Sequence, residues 1–103
     1  MFQKMLNYVT IDIPELDLTT VTDIEVTFKQ KSTGTELTYS DSGSLELVNE
    51  HSLTVKIPKD DTMRLNRTDV AGQVMFKENG VPNATLVFIV PIDEILKENG
   101  YGD

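Results

Sequence analysis

Nucleophilic catalysis with a histidine base would have only one residue to work with, His51, and there is no cysteine. His51 lies in the polar stretch "NEHS", with no nucleophile motif beside it, so a solvated loop histidine is the expected reading. Two acidic pairs, Asp60–Asp61 and Asp93–Glu94, could in principle ligate a hard cation or share acid and base roles. Both fall where a helix N-terminus or a turn accounts for them, and no EF-hand spacing of oxygen ligands surrounds them. The six glycines are scattered among turns rather than gathered into a phosphate-binding loop. "NRT" at Asn66 and "NAT" at Asn83 match the glycosylation pattern, but no secretory signal accompanies them. Neither catalysis nor a metal or other cofactor is expected.

Composition narrows the partners. Seventeen acidic against nine basic residues give a net charge of -8. Residues 1–50 hold nine acids and three bases, residues 51–103 eight acids and six bases. Nucleic acid and anionic membrane surfaces both need clustered Lys and Arg, so neither is an expected partner. The start, "MFQKMLNYVTIDIPE", lacks a signal peptide's apolar stretch and cleavage site. The longest strictly apolar run, Leu86–Val90, falls far short of the ~20 residues of a membrane span. With 39% apolar and 25% charged residues, the chain has the balance of one globular domain over residues 1–103.

The elements that would position any site are strands, because alternation is common and helical periodicity scarce. Val9, Ile11 and Ile13 alternate with Tyr8, Thr10 and Asp12 up to Pro14. In "DIEVTFKQK", Ile24, Val26 and Phe28 face one way and Glu25, Thr27 and Lys29 the other. "TELTYS", "LELV" and "LTVKI" follow, the last with Leu53, Val55 and Ile57 inward. "PKDDTMRLNRTD" breaks the pattern: Pro58 suits a helix start, and Asp60 and Asp61 its positive end. One short helical turn is predicted there, with Met63 and Leu65 turned toward the core. "AGQVMFKE" and "ATLVFIVPI" complete about seven strands. Turn signals every 8–12 residues predict an all-β, antiparallel β-sandwich.

The last hairpin turns at Asn79-Gly80, and two registers are open. A two-residue loop would make 78 and 81 flank the turn and set Phe76 opposite Asn83. A three-residue loop with a bulge at Gly80 pairs Lys77 with Val81, Val74 with Ala84 and Val70 with Phe88. The second gathers apolar residues on one face and is the expected register. Val70, Val74, Phe76, Ala84, Leu86, Phe88 and Val90 then form the core face. The outer face carries Met75, Thr85, Val87 and Ile89. Burying Met75, Val87 and Ile89 would contribute about 1.5–3 kcal/mol each, so this face is expected to have a cover. A subunit or partner protein is one candidate, self-association included; the chain's own Phe2, Met5 and Leu6 are another.

Three segments carry a family resemblance: "IDIPELDLTTVTDIEVTFKQ", "SLTVKIPKDDTMRL" and "GQVMFKENGVPNATLVFIVPIDEILKE". They resemble small proteins encoded by phages and prophages of Gram-positive bacteria. The matching features are Thr27–Gln30 in the second strand, the helical turn at Asp60–Leu65, Gln73–Phe76, and the segment Asp93–Glu98. The lead-in "MFQKML" departs from the family's more polar start. The resemblance implies an immunoglobulin-like sandwich and a non-catalytic role in a virion or its assembly. It also implies a location in the bacterial host cytoplasm and then the virion. A stand-alone module that recognises a host-surface glycan or protein is the other reading. Glycan binding favours aromatic platforms, and here there is no Trp and only Tyr8, Tyr39 and Tyr101, far apart in sequence.

Overall fold

A computed structural model of the chain describes residues 6–66, 68–85 and 87–90. Two antiparallel sheets face each other across an apolar interior, an all-β sandwich with a single helical turn. One sheet has the order β1-β5-β4, from Asn7–Asp12 (β1), Ser52–Ile57 (β5) and Leu45–Asn49 (β4). The other runs β3-β2-β6, from Thr35–Tyr39 (β3), Thr22–Gln30 (β2) and Val70–Glu78 (β6). On the far side of β6 lie two short strands, Val81–Ala84 (β7) and Phe88–Val90 (β8). There are thus eight strands among the described residues rather than about seven. The expected last strand is divided into β7, which ends at Ala84, and β8, which starts at Phe88.

Alternation places the core where the pattern predicted. Val26 and Phe28 of β2, Leu53, Val55 and Ile57 of β5, and Val70 and Val74 of β6 are almost wholly buried. Phe28 sets its ring edge-on to both Tyr39 and Phe88, with centroids 6.1 and 6.3 Å away. The chain enters β2 through a bulge. Asp23 takes a left-handed φ of 53°, and two residues stand between the pairs Thr22↔Lys77 and Glu25↔Met75. Ile24, expected deep in the core, is half-buried there.

Gln30 at the end of β2 is buried, and its amide is fully used. Nε2 donates to the carbonyls of Asn66 and Thr68 at 3.0 and 2.8 Å. Oε1 accepts from the Asn66 N–H at 2.9 Å and the Thr33 hydroxyl at 3.0 Å. One buried polar group therefore ties the 31–34 turn to the segment entering β6. The helical turn is Lys59–Thr62 (α1), with Pro58 before it and Asp60 and Asp61 in its first turn. Leu65 is buried after it as expected, whereas Met63 is 58% exposed and points to solvent. No helix among the described residues is long and apolar enough to cross a membrane.

The Asn79-Gly80 hairpin corrects the expected register. Both residues have positive φ, 52° and 78°, the geometry of a two-residue type I′ loop. The pairs are Glu78↔Val81, Lys77↔Pro82, Phe76↔Asn83 and Met75↔Ala84. Beyond the break the partners become Gly72↔Phe88, Ala71↔Ile89 and Val70↔Val90. One extra residue has been absorbed between Thr85 and Phe88. That insertion restores the parity the turn had changed, so Phe88 and Val90 still share the core face of Val70.

Candidate functional site

The groups with chemical potential are occupied structurally. His51 is half-buried rather than freely solvated: Nδ1 donates to the Leu16 carbonyl at 2.8 Å, and Nε2 lies 3.8 Å from Glu50 Oε1. With Ile13 N–H on the His51 carbonyl and Leu18 N–H on the Glu50 carbonyl, it pins the 13–18 loop to the β4–β5 turn. Asp61 Oδ2 accepts the Tyr39 hydroxyl at 2.8 Å, linking α1 to the sheet. Burial first, and then this bond to a carboxylate, hold the phenol far above its usual pKa. Asn66 Oδ1 accepts from Ser32, from the Thr68 N–H and from the Thr68 hydroxyl. No group of three or more His, Asp or Glu is gathered among the described residues. Asp93–Glu94 lies outside them. Of the tyrosines, Tyr8 is exposed on β1 and Tyr39 is buried, so these two form no shared platform; Tyr101 is outside the described residues.

What remains is apolar surface at one flank of the sandwich. Val87 and Ile89 are each 59% exposed and Met75 is 43% exposed. Val87 and Met75 share a groove of about 250 Å³ on the outer face of the β2–β6 sheet, bordered by Glu25, Thr27 and Lys29. Val87 and Ile89 also line a slot of about 380 Å³ between β1 and β8. Val9, Ile11 and Ile13 form its other wall, with Phe88 and Val90 at its base. A further groove of about 360 Å³ lies at the opposite flank beside β4, lined by the Ser40–Ser42 turn.

Two predicted positions change places. Thr85, expected on the outer face, stands opposite Val74 of the core face. Its N–H donates to the Val74 carbonyl at 2.9 Å, and its hydroxyl accepts the Val74 N–H at 3.1 Å. Its carbonyl accepts Gln73 Nε2 at 2.9 Å. Thr85 thus continues the ladder past β7, with its side chain as the acceptor for Val74. Ala84, expected in the core, pairs with Met75 and is exposed. The reason is the two-residue turn, which shifts residues 81–84 by one against β6. Leu86, Phe2 and Met5 lie outside the described residues; Leu6 is 41% exposed.

Sequence reasoning missed the slot's second wall. Val9, Ile11 and Ile13 read simply as core positions, and nothing in their spacing shows that they line a slot with Val87 and Ile89. The signal that was available is the two-sided apolar run of residues 86–90. No family model matches the chain, and no curated protein and no solved structure matches it either.

Proposed function

We propose that this chain is a non-catalytic docking or assembly protein whose contact surface is the flank built by Met75, Thr85, Val87 and Ile89. The carrying observation is the exposure of Val87 and Ile89 between two adjoining grooves, on a chain of net charge -8. Apolar centres with polar rims are what protein partners bury. Thr85 acts here by continuing the ladder past β7, and Met75, Val87 and Ile89 make the contact. The resemblance to small phage and prophage proteins supplies the setting: an immunoglobulin-like component of a virion, made in the bacterial host cytoplasm and carried into the particle.

The test is a photo-crosslinking residue at Val87, in cells that carry the natural gene. Discrete crosslinks to a particle protein, lost when Ile89→Lys is added, are the expected result. Crosslinks from a probe at Lys56, exposed on the other sheet, with none from position 87, would move the contact surface elsewhere and end this reading.

A further inference from the structure

We infer that the slot between β1 and β8 receives an extended strand from a different protein, one whose apolar residues alternate and whose ends carry Lys or Arg. This rests on the docking reading above and names its mode and the partner's chemistry.

Hydrogen-bond direction carries the first part. In an antiparallel ladder a residue's N–H and C=O point to one side together, and successive residues alternate. Ile13 N–H donates to the His51 carbonyl, and the register continues through Ile11↔Leu53 and Val9↔Val55. Residues 9, 11 and 13 therefore turn their backbone groups to β5, and Tyr8, Thr10 and Asp12 turn theirs away from it. On the other sheet Val74 bonds toward Thr85, so Gly72 and Val70 face the same flank and bond Phe88 and Val90. Ile89 is left directing its backbone groups outward. Among the described residues β1 is an edge strand of its sheet, and β8 has only β6 as a partner.

The walls carry the second part. Between these two edges the slot presents Val9, Ile11 and Ile13 from one sheet and Phe88 and Val90 from the other. A strand laid along β1 would bond Tyr8, Thr10 and Asp12 while sending alternate side chains between those walls.

Charge selects the occupant. Asp12 and Glu15 line the slot, and among the described residues no Lys or Arg does. A second copy would bring the same net charge of -8, and β4, the edge strand at the opposite flank, carries Glu46 between Leu45 and Leu47. A basic-ended strand complements the rim; an acidic one is repelled.

The probe is a synthetic Lys-Val-Thr-Val-Thr-Val-Lys peptide added to the full chain, read by amide hydrogen exchange resolved by residue. The amides of Thr10, Asp12 and Ile89 are expected to exchange rapidly in the free chain. Peptide should slow those beside the added strand by about tenfold or more and shift the signals of Val9, Ile11 and Val90. A peptide with Glu in place of both Lys should bind at least about tenfold more weakly at low salt, and Glu15→Lys should narrow that gap. A peptide N-methylated at alternate residues, unable to complete the ladder, should not bind. Three results would overturn the proposal: protection already present in the dilute free chain, which marks the chain's own segment in the slot; protection that rises with protein concentration alone, which marks a second copy; or no response to millimolar peptide. Any of these with crosslinks from position 87 intact removes strand addition and leaves the docking surface standing; loss of both removes both.

Discussion

The ring of Phe88 lies over Gly72, so close that a Cβ on residue 72 would sit 2.4 Å from Cε2 and 2.6 Å from Cζ of that ring. Gly72 is also the partner of Phe28 on β2, and Phe28 meets Phe88 edge-on. The missing side chain therefore lets two aromatic rings touch across the strand that separates them. Gly72→Ala is expected to displace Phe88 and cost about 1–3 kcal/mol, measured by chemical denaturation. In the Phe88→Ala background the same substitution should cost far less, because the clash is gone. Equal costs in both backgrounds would show that the glycine is needed for something else.

Tyr39→Phe removes the hydroxyl that Asp61 accepts and should cost about 1–3 kcal/mol. The sign of its pH dependence follows from the raised pKa. The folded state holds the phenol neutral, while the unfolded chain ionises near 10. The bond's contribution is therefore complete below pH 10 and declines as pH rises above it. Denaturation of the wild type and of Tyr39→Phe should consequently converge in strong alkali, and the ultraviolet signal of phenolate from Tyr39 should wait for unfolding.

The type I′ turn needs left-handed backbone at both Asn79 and Gly80. Gly80→Ala should cost about 1–2 kcal/mol, since an L side chain is strained there although nothing lies within 4 Å of the added methyl. Asn79→Gly should change stability by a few tenths of a kcal/mol at most. Thermal unfolding of the two variants, side by side, separates this from a general loss of the hairpin.

Val87→Glu and Ile89→Lys should each change folding stability by less than about 0.5 kcal/mol, because both side chains are mostly exposed. Val74→Ala, at a fully buried position of the neighbouring strand, should cost roughly 1–3 kcal/mol. A large loss of stability at 87 or 89 would mean that the chain covers its own flank.

The Thr19 hydroxyl and N–H donate to Asp17 Oδ1 at 2.6 and 2.9 Å and hold this carboxyl below its usual range, the hydroxyl having the greater effect. A lowered folded-state value contributes stability that is complete above the unfolded value of 3.8 and is lost as pH falls through the folded one. The stability gap between wild type and Asp17→Ala should therefore be widest near neutral pH and close in acid. A gap that persists unchanged to pH 2 would contradict it.

How much of this was legible beforehand differs from element to element. In "DIEVTFKQ" the outward positions hold Glu, Thr and Lys, so only one face of the strand can be buried, and it is. "LTVKI" reads the same way, and "PKDD" marked its helical turn through proline and acidic residues. "TLVFIV" is apolar at both parities and does not discriminate between registers. The expected bulge at the turn and the actual shift between Thr85 and Phe88 each move the register by one residue, in opposite senses, so Phe88 and Val90 were placed on the correct face by the wrong register. Met63 and Leu65 were equally apolar, and only the end of the helical turn sent one to solvent.

By its own alternation and turn residues, then, the chain determined an all-β sandwich, the inward residues of β2, β5 and β6, and a surplus of apolar side chains near its end. Those are local properties, set by a period of two and by backbone preference. Only the tertiary structure decided that the surplus lies at a flank between two sheets, with Val9, Ile11 and Ile13 as the facing wall. That juxtaposition joins residues almost eighty positions apart. It depends on which strands become edges, and edge position follows from the whole pairing order rather than from any segment's pattern.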